Sequence, residues 1–304
     1  MQAEISIIVG TRNRAPCLRK LLASLDRLQP PPVPYEVLIA DNGSTDATPQ
    51  LLASWSGPRR RVLRVDQPGR SRAFNAAIQA ATGSILVFTD DDVEVDPGHL
   101  VAVWDFFAKH DCWAAQGTID LPAAAMNDPA LRELLQRYES TLPLVLPQAG
   151  VRRHSLVGAN MLVRRTALAR VGLFNEQLGP GATGFSDDDE LADRILAHGG
   201  WIGSLPEARV THEVDPSRLT EEYFRQRHQL QGRSRFVYRQ HGLLTSILPN
   251  LVKVHFDYLV YSLLGNLPKK YRAKGRCYHY REMLRLATHR PTTPAVPVAN
   301  RTGK

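Results

Sequence analysis

Between residues 5 and 89, short apolar runs alternate with helical patterns. That alternation restricts the chain to a mostly parallel sheet with helices on both faces. Ile5 to Val9 is apolar and β-branched, the pattern of a buried strand. Leu18, Leu21, Leu22, Leu25 and Leu28 form a helical stripe, which the proline cluster at 30–34 ends. Tyr35 to Ala40 reads as a second strand. Ser44 or Asp46 can cap a short helix carrying Leu51, Leu52 and Trp55, with Pro49 in its first turn. Val62 to Val65 reads as a third strand. Ala73 to Ala81 is a small-residue helix closed by Gly83, and Ser84 to Thr89 is a fourth, strongly apolar strand.

In sheets of this kind ligands bind at the carboxyl ends of the strands. Three polar segments follow strands directly: Thr11-Arg12-Asn13-Arg14, Asp41 to Asp46, and Asp90-Asp91-Asp92. An Asp triplet alone is more often a solvated turn or a helix cap than a site. Three adjacent carboxylates repel one another, however, and a divalent cation with oxygen preference removes that cost and bridges to phosphate. Three polar strand ends on one edge favour the site. Asn42 to Asp46 is explained as a turn and helix start, whereas Asp41 at the strand end is free to meet a nucleobase. Gly69-Arg70-Ser71-Arg72 precedes a small-residue helix; the glycine admits close backbone approach and the arginines suit a diphosphate. Asp187-Asp188-Asp189-Glu190 opens a helix running to His198. Acids there favour the helix dipole, and one of them can also act as a general base. His212 follows the strand-like Ala208-Arg209-Val210.

Charge is unevenly placed. The chain has 304 residues with 38 Lys and Arg against 30 Asp and Glu. From Arg218 onward there are 17 basic and 4 acidic residues, leaving 21 basic and 26 acidic before it. A uniformly basic nucleic-acid binder would not show this split. The three cysteines are scattered, without metal-site or disulfide spacing. No apolar run of about 18 residues and no secretion signal are visible. The expectation is a cytoplasmic protein, peripheral on the inner face of the cell membrane if the basic third lies on lipid.

Taken in order, ISIIVGTRNR, LIADNGSTDAT, GRSRAFNAAIQAATGSILVFTDDDV, GANMLVRRTALARVGLFNE, GFSDDDELADRILAHGGW and PEARVTH resemble the family 2 glycosyltransferases of GT-A fold, over about residues 4–215. The resemblance implies residue roles. Thr11, Arg12 and Asn13 are similar to the loop around the nucleoside, and Asp41 to the aspartate on the base. Gly69, Arg72 and Asn75 fall beside the donor. Asp90 and Asp92 resemble the DxD pair, Asp91 being the spacer or touching the donor sugar. Asp92, with His212 and with Asp90 as an option, would hold Mn2+ or Mg2+. Gly158, Asn160 and Asp187 fall on the transferred sugar and acceptor. Asp188 occupies the slot of the catalytic base, with one position of latitude among its neighbours. The second motif departs from the family in reading Ala-Asp-Asn-Gly, the loop in carrying Phe74, and the base motif in starting with Asp187 rather than glutamate.

The implied reaction is an inverting, in-line transfer from a nucleoside-diphosphate sugar to the hydroxyl of a glycan or lipid-linked acceptor. The expected organisation is a catalytic domain at 1–217 (a nucleotide half at 1–110, an acceptor half at 111–217), a basic amphipathic helical extension at 218–290 and a disordered tail at 291–304. In the extension, apolar-aromatic Leu251 to Leu264 beside basic Lys269 to Arg276 suits either an anionic membrane surface or a subdomain packed on the core. Two rival readings are a nucleotidyltransferase that makes the activated sugar and a non-catalytic sugar-binding module. The first normally needs a glycine-rich, basic triphosphate loop after the first strand, and GTRNR has one glycine. The intact acids weigh against the second.

Overall fold

The structure is a computed structural model describing residues 2–289. The tail expected at 291–304 lies outside these residues. The first half follows the expected alternation: β1 Ile5–Thr11, α1 Ala15–Leu25, β2 Tyr35–Asp41, α2 Thr48–Ser54, β3 Arg60–Arg64, α3 Arg70–Ala80 and β4 Ile85–Thr89. Then come β5 Val93–Val95, α4 His99–Lys109, β6 Ala114–Asp120, α5 Ala123–Asn127, α6 Pro129–Arg137, β7 Asn160–Arg164, α7 Arg165–Val171, α8 Asp187–Ala197 and β8 Ile202–His212. The basic third forms α9 Glu221–Tyr238, α10 Leu248–Leu263 and α11 Leu267–Thr288.

The strands form one sheet in the order β3-β2-β1-β4-β7-β6-β8-β5. From β3 to β4 every pairing is parallel. Beyond β4 the sheet is mixed: β7 runs antiparallel to both β4 and β6, β6 and β8 are parallel, and β5 is antiparallel to β8. Antiparallel β7 comes from the less regular middle of the sequence, where the pattern of strand and helix is weak, whereas β5 follows β4 directly. Edge strand β3 is short and carries Arg60, Arg61 and Arg64, which discourages pairing with another chain.

Strand alternation sorts the core into two layers. Ile5, Ile7 and Val9 face one side with Leu18, Leu21 and Leu22 of α1 and Leu100 and Val103 of α4. Ile8, Leu38, Leu86 and Phe88 face the other with Ala73, Phe74 and Ala77 of α3 and Leu191, Ala192 and Ile195 of α8. Phe74, Phe88 and Phe174 form a ring trio with centroids 5.2 to 5.4 Å apart. Both faces are covered, so β1 and β4 read as continuous apolar runs.

The extension packs on the rest of the fold. Phe224 and Leu219 join Leu121, Leu135 and Tyr138 in a third cluster, flanked by Tyr271 and Tyr278 of α11. Helices α9 and α11 approach closely through reciprocal glycines. A Cβ on Gly232 would lie 2.4 Å from the His279 carbonyl oxygen, and one on Gly275 would lie 2.3 Å from the His228 ring. Substituting Gly232→Ala is therefore expected to destabilise the protein by about 1–3 kcal/mol, although alanine favours an open helix by about 1 kcal/mol. Urea denaturation measures this, and a raised midpoint would contradict the close crossing.

Candidate active site

Strand register assembles the site. Parallel pairing puts Thr11 opposite Asp41 and Val9 opposite Thr89, so three polar strand ends share one edge. Antiparallel β7 pairs Asn160 with Thr89, which brings the preceding Gly158-Ala159 beside Asp90. Antiparallel β5 and β8 pair Val93 with His212, which sets His212 beside Asp92. These ends surround a cavity of about 520 Å³ that also takes in Asp187, Asp188, Arg218 and Arg227.

The three aspartates have different surroundings. Asp91 accepts a hydrogen bond from Thr11 Oγ1 at 2.7 Å and pairs with Arg14 Nε at 3.2 Å. Burial pushes its pKa up to about 6, against the pull of Thr11 and Arg14. Asp92 is bound by Arg14 Nη2, by His212 Nε2 at 3.1 Å and by Arg218 Nη2 at 3.3 Å. Burial opposes its ionisation, but His212, Arg14 and Arg218 outweigh burial and hold it well below the ordinary carboxylate range. His212 is 2% exposed. Burial disfavours its charged form, yet the hydrogen bond to Asp92 lifts its pKa above the ordinary value. Its Nδ1 lies 2.8 Å from the Glu213 carbonyl, which turns Nε2 into the cluster.

Asp90, Asp92 and His212 each offer one ligand atom, all within 4.8 Å of one another. That set fits a divalent cation. Carboxylate oxygens and an imidazole nitrogen are donors that divalent cations accept.

A second acidic group lies across the cavity, and Arg70 ties it to the first. Arg70 Nε and Nη2 donate to both oxygens of Asp187 at 3.0 and 2.7 Å, while Nη1 donates to Asp90 at 3.1 Å. Asp187 is fully buried. Asp188 is half-buried; its oxygens accept from the amides of Gly158 and Asp189, both at 2.9 Å. Burial and the neighbouring Asp187 raise its pKa, and Arg70 only partly offsets them. Asp189 is pushed up to about 7 by burial and by Asp188. Of the three, Asp187 and Asp188 line the cavity and Asp189 does not.

Of the residues singled out in the sequence, Thr11, Arg12, Gly69, Asp90, Asp91, Asp92, Gly158, Asp187, Asp188 and His212 line the cavity. Five expected residues do not. Asn13 clips two loops, accepting from the Thr45 amide at 2.7 Å. Asp41 is buried, accepting from the Ser44 amide at 2.9 Å and pairing with Arg64 at 3.2 Å. Asn75 exchanges hydrogen bonds with the Phe174 backbone, both at 3.0 Å. Asn160 is fully buried, donating to the Thr118 and Ala208 carbonyls at 2.8 Å and bonding His99 at 2.9 Å, so it stitches strands beneath the site. Arg72 points away, to Gln67 and Glu176; Arg70 is the arginine that enters the cavity. Two residues along α3 is a rotation of about 200°, and Arg72 shares its line with exposed Gln79, whereas Arg70 shares its line with buried Ala73 and Ala77. That register is legible in the sequence.

Sequence reasoning placed Arg14 at a polar strand end without giving it a role, and missed Arg218, Arg227 and the loop at 179–184. Gly181, at φ +87°, lets this loop touch the start of α3: a Cβ there would lie 2.8 Å from Gly69 Cα. The Pro180 carbonyl accepts from the Arg70 amide at 2.9 Å. Arg227 and Tyr223 come from α9, so the extension supplies part of the cavity wall.

Removing Arg70 would leave buried Asp187 without its cation. Arg70→Met is expected to cost about 3–5 kcal/mol, and adding Asp187→Leu should recover much of that. Denaturation of the single and double variants gives the coupling energy; additive losses would disprove the pairing.

Glycosyl transferase family 2 matches residues 6–172. A β-monoglucosyldiacylglycerol synthase of Nostoc sp. is 29% identical over 201 residues, 63% of this chain and 41% of that protein. An N-acetylglucosaminyl-diphospho-decaprenol L-rhamnosyltransferase of Mycobacterium tuberculosis is 25% identical over 242 residues, 68% of this chain and 75% of that one. The chain thus spans about two fifths of the length of the Nostoc relative. Among solved structures, the mannosyltransferase PcManGT from Pyrobaculum calidifontis, in complex with GDP-Man and Mn2+, has a TM-score of 0.62 at 18% identity, covering 95% of this chain and 88% of that one. The fold is GT-A-like, a mixed sheet flanked by helices. With more than half of its length matched by the family, this chain belongs to glycosyl transferase family 2.

Proposed function

We propose that this chain is an inverting glycosyltransferase that moves a sugar from a nucleoside-diphosphate sugar to an acceptor hydroxyl, with Asp188 as general base. One observation carries the reading: a carboxylate of raised pKa, bonded only through backbone amides, shares a cavity with the Asp90, Asp92 and His212 cluster. Asp92, His212 and Asp90 would hold the divalent cation, which when bound would neutralise charge on the departing diphosphate. Arg14, Arg218 and Arg12 would bind the diphosphate oxygens from the same wall. Arg70, fixed by two acids, would keep the sugar side of the cavity at constant width. Asp188 would remove the proton from the attacking hydroxyl, and its raised pKa brings it nearer to neutrality, where a general base works best.

The acceptor is proposed to be a glycan or a lipid-linked saccharide. The named acceptors of relatives support this: one relative is a diacylglycerol glucoside synthase, another acts on a diphospho-decaprenol. A lipid-linked acceptor would bring the protein to an anionic membrane surface as a peripheral protein. No helix among the described residues is long and apolar enough to cross a membrane. A cation cluster and a base in one cavity favour transfer over sugar binding alone.

Asp188→Asn is expected to lower turnover by about 10²–10⁴-fold while donor affinity, read by calorimetry, stays unchanged; undiminished turnover would remove Asp188 from the reaction. In the unaltered protein, the rate should fall as pH drops through the raised Asp188 pKa, so the acid limb lies above the ordinary carboxylate value of about 4. Asp92→Ala is expected to abolish the gain in nucleoside-diphosphate affinity given by Mn2+. An equal Mn2+ effect in the variant would overturn the metal assignment. Screening UDP-, GDP- and dTDP-sugars with and without Mn2+ identifies the donor.

A further inference from the structure

The extension divides into two kinds of surface. Helices α9 and α11 bury most of their apolar residues against the fold, Val237 of α9 excepted, but α10 does so on one side only. Val254 is its buried contact. On the opposite side Val252, Phe256, Leu259 and Leu263 are 70%, 66%, 60% and 88% exposed. At about 100° per residue these four fall within an arc of about 60°, along about 16 Å of helix. Leu264, just past the helix end, and Leu244, just before it, are 70% and 75% exposed. Contiguous apolar surface of this kind marks a contact site rather than ordinary exposure.

The charges around the stripe identify what it meets. From Leu248 to Thr288 there are eight Lys and Arg against two Asp and Glu. Glu282 is already bound by Arg233 and Arg285. Lys253 is exposed on α10 itself. Lys269 and Lys270, in the first turn of α11, sit over the Tyr261 and Tyr258 rings at 5.5 and 5.9 Å, which holds both ammonium groups at the C-terminal end of α10. An apolar strip edged by cations matches the interface of an anionic bilayer, where acyl chains take the strip and headgroups take the lysines. A second protein copy would bring the same cations face to face.

We infer that the outward face of α10, with Lys253, Lys269 and Lys270, docks this chain on an anionic lipid surface. The inference identifies the contact surface for the proposed membrane-bound acceptor, and lipid binding is measured without turnover, so either can fail without the other. The test is co-sedimentation of the full chain with vesicles of phosphatidylglycerol and phosphatidylcholine, and with phosphatidylcholine alone. The unaltered chain is expected to bind the anionic vesicles and to bind the neutral ones far less. Leu259→Glu with Leu263→Glu should weaken binding at least about tenfold without lowering the thermal midpoint, since both residues are exposed. Lys269→Glu with Lys270→Glu should lose the preference for anionic lipid and its salt dependence. Binding by the leucine variant equal to that of the unaltered chain, or no vesicle binding at all, would overturn the inference. So would a dimer in solution that the leucine variant converts to monomer while vesicle binding persists.

Discussion

Arg70 is the cation on which the site depends. Its guanidinium binds both oxygens of Asp187 and one of Asp90, joining acidic segments from distant parts of the chain. Planarity allows this: a guanidinium presents several donors in a fixed fork, which an ammonium cannot match. The cost of burying Asp187 is offset only while that fork is in place. The surroundings are shaped to the same group. A Cβ on Gly158 would lie 3.0 Å from the Arg70 guanidinium, and the loop at 179–184 accepts the Arg70 amide.

The cavity spans two halves of the sheet with different logic. The parallel half presents the ends of β1, β2 and β4, the general property of open α/β sheets. The mixed half adds what a parallel sheet alone could not. Inserted antiparallel, β7 delivers Gly158 at its start, and β8 delivers His212 at its end through pairing with β5. The extension then closes one wall with Tyr223 and Arg227 while leaving α10 facing outward. One wall of the cavity and an exposed apolar face thus come from one helical unit.

The parallel half was legible because its central strands β1 and β4 are buried on both faces and read as largely apolar runs. The middle was less legible because β6 and β7 include residues such as Gln116, Thr118 and Asn160, whose polar side chains bond partners distant in sequence. Asn160 illustrates the difficulty. Its motif suggested a ligand contact, yet every polar atom of its side chain is used in holding strands together. Asn75 and Asn13 repeat the lesson: amides beside a site often fix loops rather than touch ligand.

The sequence by itself determined the strand-helix alternation, the polar strand ends, the acidic clusters and the uneven charge, because periodicity and composition are local properties. It also contained the choice between Arg70 and Arg72, through helix register. Only the tertiary structure decided that Arg14 and Arg218 meet Asp92, that His212 lies across from Val93, and that Asp188 rather than Asp187 has its oxygens free of arginine. Apart from the Asp189 amide on Asp188, those are contacts between residues tens to more than a hundred positions apart. Strand pairing and burial select them, and no local pattern in the chain encodes which partner wins.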